Sequence, residues 1–191
     1  MNQAFTKSSY IFRKKVFKLF GGSFKVFDTD GRMLFYSEQK AFRLKADLRI
    51  YSDESKREEL VNIKTPQFLD FSATYFVTDS TTGEQIGALK RKGFKSIISD
   101  EWTFLTTDLR EIGKMKEKSL GGALLSRFIN LIPQNFKITD SNEKEVASIE
   151  QFFNPFVLKY QLTIPNANSS IDKRLIIAAG ILLCSIEGRQ Q

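Results

Sequence analysis

The chain has 191 residues, a formal net charge of +7, 41% hydrophobic and 27% charged residues, one cysteine and no histidine. This composition excludes a disordered chain and an internal disulfide. Without histidine no Ser-His or Cys-His nucleophile can be built, and the commonest zinc ligand is missing. The length suits one core, so a single domain over residues 1–191 is expected.

The positive balance favours an anionic partner, with a merely lysine-rich surface as the alternative. The opening "MNQAFTKSSYIFRKKVFKLF" has neither the apolar region nor the small-residue cleavage site of a secretory signal. A cytoplasmic protein, or a peripheral one at the cytosolic face of a membrane, is therefore expected.

Period-2 alternation of apolar residues begins early and keeps returning. In "FKVFDTDGRMLFYS" (Phe24–Ser37) two alternating runs flank Asp-Thr-Asp-Gly, the signature of a β-hairpin. "ADLRIYS" (Ala46–Ser52) and "ELVNIKT" (Glu59–Thr65) face each other across a charged turn. "TYFVTDSTTGEQIGALK" (Thr74–Lys90) repeats the hairpin, with Asp79 opening the turn and Gly83 in it. A long pair follows in "SIISDEWTFLTTD" (Ser96–Asp108) and "LREIGKMKEK" (Leu109–Lys118).

"SLGGALLSRFINLIP" (Ser119–Pro133) breaks the alternation. Its polar Ser126, Arg127 and Asn130 share a narrow face, so it predicts a mostly buried amphipathic helix ended by Pro133. "NFKITDSNEKEVASIEQ" (Asn135–Gln151) is a third Asp hairpin, and "FVLKYQLTI" (Phe156–Ile164) is the last strand. In these turns Asp accepts backbone N–H groups, and Gly or Asn takes the left-handed backbone angle. About twelve strands result, and so many antiparallel strands must close into a barrel or stack to manage their edges.

Leu175–Ile186 carries no charge but has only 12 residues. As a helix it rises about 18 Å, against a bilayer core of about 30 Å. Asp172 precedes it as a cap and Gly188 follows it. Apolar side chains lie on all its faces, so it predicts a buried core helix over 172–187 rather than a membrane span. Ala178, Ala179 and Gly180 would let strands approach its middle.

"YIFRKKVFKLFGGSFKVFDTDGRMLFYSE" (Tyr10–Glu38), "LRIYSDESKREELVNIK" (Leu48–Lys64), "FVTDSTTGEQIGALKRKGFKSIISDEWTF" (Phe76–Phe104) and "DKRLIIAAGILLCSI" (Asp172–Ile186) follow one another along nearly the whole chain. In that order they resemble the tubby C-terminal-like superfamily, most closely its LURP-one-related and phospholipid scramblase-like branch. The resemblance implies a closed twelve-stranded barrel around the C-terminal helix. It also implies several roles: phosphoinositide binding as in tubby proteins, membrane association or lipid scrambling as in scramblases, and other roles among LURP-one-related proteins. The proline-rich arm and cysteine cluster of scramblases have no counterpart here, since the chain has 4 Pro and Cys184 is its one cysteine.

Three basic clusters carry the functional expectation. The first is Arg13, Lys14, Lys15 and Lys18; the second is Lys90, Arg91 and Lys92, with Lys95 beyond; the third is Lys114, Lys116 and Lys118. The i, i+2, i+4 spacing of the third places its ammonium groups on one strand face, and Lys90 and Lys92 share a face likewise. We take Lys90, Arg91, Lys92, Lys114, Lys116 and Lys118 as the candidate anion- or lipid-binding patch, able to hold phosphate as point charges. The alternative is a solvated outer face whose lysines discourage edge pairing.

"DTDGR" (Asp28–Arg32) is expected as a turn rather than a calcium loop, because no bidentate Glu follows at the required spacing. Gly21-Gly22 and Gly121-Gly122 lack the remainder of a phosphate loop. Carboxylate pairs such as Asp28/Asp30 and Glu58/Glu59 are turn residues, and Cys184 is expected to pack rather than react. No catalytic residue, metal site, cofactor or nucleic-acid partner is expected. The expected function is non-enzymatic binding of phospholipid or phosphoinositide head groups at a membrane surface. One alternative is a protein-binding scaffold or regulator without lipid binding; another is a scramblase-like membrane protein. The partner expected is an anionic phospholipid head group or an acidic protein.

Overall fold

The computed structural model describes residues 2–15, 22–39, 47–65, 74–91, 101–118, 133–152, 154, 156–165 and 169–187. A 3-10 turn at Gln3–Thr6, not anticipated from sequence, buries Phe5 and leads into the first strand. Twelve strands follow: β1 (Ser9–Lys15), β2 (Gly22–Phe27), β3 (Met33–Gln39), β4 (Asp47–Tyr51), β5 (Glu59–Lys64) and β6 (Thr74–Asp79), then β7 (Gln85–Arg91), β8 (Glu101–Leu105), β9 (Glu111–Glu117), β10 (Asn135–Asp140), β11 (Glu145–Phe152) and β12 (Val157–Thr163). Each pairs antiparallel with its neighbours in the chain, and β12 returns to β1 to close the barrel. Closure removes the free edges that so many strands would otherwise expose. The expected helix over 119–133 falls, save for Pro133, outside the described residues.

Alternation decides which side chains face inward. Tyr10 and Phe12 on β1, Phe24 and Val26 on β2, Trp102 and Phe104 on β8, and Tyr160 and Leu162 on β12 are all essentially inaccessible. Helix α1 (Lys173–Glu187) fills the space they enclose. Asp172 caps it as expected: its carboxylate accepts the Arg174 backbone N–H at 2.8 Å, and its carbonyl accepts those of Leu175 and Ile176. Every residue from Leu175 to Cys184 is buried. Each large aliphatic among them contributes on the order of 1.5–3 kcal/mol of burial. Gly180 lets the helix approach β1 closely, because a Cβ there would sit 2.8 Å from the Phe12 ring.

The two ends of the barrel differ. The hairpins β2–β3, β4–β5, β6–β7, β8–β9 and β10–β11 all turn at the end where α1 begins. Each carries a register shift beside its turn and, in the turn itself, one residue at positive φ: Gly31, Lys56, Gly83, Leu109 and Glu143. In four of them an Asp side chain accepts backbone N–H groups of the turn, Asp53 of the β4–β5 turn taking that of Ser55. Asp28 accepts from the backbone N–H groups of Asp30 and Arg32, Asp79 from that of Thr81, and Asp140 from those of Asn142 and Lys144. In the β10–β11 hairpin the left-handed residue is Glu143 (φ 61°), not the Asn expected from sequence. A type I turn followed by a left-handed residue puts that residue fourth, one place after Asn142.

Candidate functional site

Among the described residues, charge inside the barrel is confined to its two mouths. At the α1 entrance, Arg174 donates to Asp79 at 2.5 Å and to Asp172 at 2.6 Å, with Glu84 at 3.6 Å. Burial pushes the Asp79 carboxyl up, but hydrogen bonds from Thr81 and Arg174 outweigh it and hold it below the usual range. The Arg174 guanidinium is pushed up by its hydrogen bonds to Asp172, against burial, and then by Asp79. The cluster latches the helix to the β6–β7 turn.

At the other mouth, Lys14 points inward and donates to the Cys184 carbonyl at 3.3 Å, near the C-terminal end of α1. It also lies 5.9 Å from the Phe24 ring centroid. A cation is favoured against the last carbonyls of a helix. Lys14 is therefore withdrawn from the first basic cluster; Arg13 faces outward, and Lys18 lies outside the described residues.

Outside, β7 to β10 present a lysine face. Lys114, Lys116 and Lys118 follow outward from β9, while Gly113 and Met115 face inward. Lys90 on β7 and Lys114 on β9 both pair with Thr103 of β8. They share an outer row two strand spacings apart, about 10 Å. Lys116 stands directly opposite Lys137 of β10, where side chains begin about 5 Å apart. Lys137 was missed from sequence because its partner β9 lies across the connection 119–132.

Arg91 does not join this face. It takes the inward parity at the end of β7, half-buried, with its guanidinium 5.7 Å from the Trp102 ring centroid. Lys92 and Lys95 lie outside the described residues.

Carboxylates neutralise part of the face. Lys114 pairs with Glu111 at 3.0 Å, a hydrogen bond that pushes its ammonium pKa up, and Lys118 pairs with Glu145 at 3.6 Å. Glu101 of β8 stands opposite Lys116 on the side away from Lys137. Even so, Lys90, Lys116 and Lys137 have no carboxylate within 4 Å among the described residues. Across β2–β5 pairing is denser: Lys25 with Glu54, Arg49 with Asp47 and Glu59, and Lys56 with Glu38. The excess positive charge is thus uneven around the wall. Among the described residues no group of three or more Cys, Asp or Glu side chains is placed to hold a metal ion.

Twelve antiparallel strands in chain order thus close around a C-terminal helix. A family model described as LURP-one-related matches residues 8–184. The chain belongs to the LURP-one-related family. The match runs from the residue before β1 to the penultimate turn of α1, so the LURP-one-related unit includes both the barrel and its core helix. This places the chain in the tubby-like superfamily. A search of curated proteins returns no match.

Proposed function

We propose that this LURP-one-related barrel binds anionic phospholipid or phosphoinositide head groups at a membrane surface through the outer face of β7–β10, without catalysing a reaction. The observation that carries the reading is the Lys116–Lys137 pair. Two like charges directly opposed on adjacent strands disfavour each other. A phosphate between them relieves that repulsion, with Lys90 and Lys114 further along the same face. Lysine suits a fluid layer of head groups, because it acts as a mobile point charge rather than a fixed fork.

Helix α1 cannot serve as the anchor while it forms the barrel's core, and among the described residues no helix is long and apolar enough to cross a membrane. Attachment through the wall is therefore favoured over a scramblase-like mode.

The test is co-sedimentation of the full chain with phosphatidylcholine vesicles, with and without phosphatidylserine or a phosphoinositide. Binding is expected with the anionic vesicles alone and should weaken steeply as salt rises from about 50 to about 300 mM. Absent or salt-insensitive binding would sink the reading.

A further inference from the structure

Among the described residues three large hydrophobic side chains are exposed: Leu109 (52%), Phe152 (40%) and Phe156 (65%). Leu109 stands in a tight turn at the α1 entrance. The two phenylalanines flank the β11–β12 turn at the opposite end. Asn154 fixes the geometry there, its side chain accepting the backbone N–H groups of Phe156 at 2.9 Å and Val157 at 3.0 Å.

The neighbouring wall is cationic. Phe152 pairs with Lys159, Lys159 with Arg13, and Arg13 with Lys25, one outer row across β11, β12, β1 and β2. The Lys159 ammonium lies 4.9 Å from the Phe152 ring centroid, and the Arg13 guanidinium 5.0 Å from that of Phe27. Lys25 is neutralised by Glu54. Lys159 and Arg13 have no carboxylate within 4 Å among the described residues. Glu150, the outward residue preceding Phe152 on β11, pairs instead with Gln161.

We propose that this tip is a membrane-docking edge: Phe152 and Phe156 enter the interfacial layer of an anionic bilayer while Lys159 and Arg13 meet its head groups. The proposal rests on the membrane-surface reading above but uses a different part of the wall. Single exposed phenylalanines are ordinary. Two at one tip, backed by a row of cations, combine the two attractions that hold a peripheral protein on charged lipid, apolar insertion and head-group pairing. The charge of the row is complementary to an anionic leaflet.

The test uses the full chain with Phe156→Trp as an insertion probe, since the native Trp102 is buried and gives a constant background. With phosphatidylserine vesicles, emission from the introduced indole should shift to the blue and be quenched by lipids brominated near the head-group end of the acyl chain. The double variant F152S/F156S should bind at least about tenfold more weakly, and R13A/K159A should bind more weakly with a shallower salt dependence. Circular dichroism should give both double variants wild-type melting, because the altered groups are outside the core.

If the bound Phe156→Trp protein shows no blue shift and F152S/F156S binds like wild type, the tip is excluded while the β7–β10 reading survives. If F152S/F156S loses binding and K116A/K137A keeps it, the tip is supported and the β7–β10 face excluded. No vesicle binding by wild type overturns both. A blue shift of the probe with poly-glutamate but not with vesicles overturns the bilayer in favour of an acidic protein.

Discussion

Arg174 ties the start of α1 to the β6–β7 turn. Its side chain is 13% exposed and that of Asp79 is 8%. Removing one partner of so enclosed a pair strands the other. Arg174→Met leaves Asp79 buried without its cation and should cost about 3–5 kcal/mol in urea denaturation. Asp79→Asn leaves Arg174 with Asp172 and should cost less, about 1–3 kcal/mol. Equal losses would argue against the latch. Asp79, Asp28 and Asp140 all have carboxyls held below the usual range, where hydrogen bonds to the charged form outweigh burial. Their contribution is therefore complete above an unfolded carboxyl pKa of about 4 and disappears as pH falls through the lower folded values. Stability should be flat from about pH 7 to 5 and fall below about 4, less steeply for Asp79→Asn; an equal slope in that variant would contradict the assignment. Residue identity alone pointed to Asp79 as a turn former and Asp172 as a cap. It did not show that Arg174 joins them, because that contact forms only once the helix enters the barrel. Lys14 was legible in principle: Tyr10 and Phe12 face inward, so the next even position must as well.

At the scale of elements, five hairpins share the plan of one left-handed residue per turn, but differ in turn length and in the residue given that position. Gly31 (φ 82°) and Gly83 (φ 74°) fit it, and no atom lies within 4 Å of a Cβ added at either. Gly83→Ala should therefore destabilise by about 1 kcal/mol through backbone strain alone. Glu143→Gly should stabilise by a few tenths to about 1 kcal/mol by relieving the same strain; thermal melts of the two variants moving in the same direction would refute the shared plan. In α1 the constraint is contact rather than dihedral. Gly180→Ala presses a methyl group onto Phe12 and should cost about 1–3 kcal/mol. Ile181→Asp puts a charge where no solvent reaches, and the chain should fail to fold. A soluble, folded Ile181→Asp protein would disprove the core-helix assignment. Strands and the C-terminal helix were readable because alternation, Asp-opened turns and a short uncharged run are local signals. The 3-10 turn carried no comparable signal.

For the whole molecule, closure explains both the function proposed and the limits of reading it from sequence. Lys114 and Lys116 are placed together by spacing within β9, with Lys118 one residue beyond it, which sequence displays. Lys90 joins them only through β8, Lys137 only because β10 pairs with β9, and Lys159 meets Arg13 only where the last strand returns to the first. Arg91 shows the converse: a neighbour in sequence, it is turned by the pleat toward Trp102. The most direct measurement is a vesicle-binding titration of Lys116→Gln/Lys137→Gln beside wild type, on phosphatidylserine membranes at low and high salt, with melting curves for both. If the wall of β7–β10 holds phosphate, the variant melts like wild type or slightly higher, since two opposed like charges have been neutralised. Its affinity should fall by about tenfold or more, with a clearly shallower salt dependence. Unchanged affinity and salt dependence in a folded variant would contradict the claim.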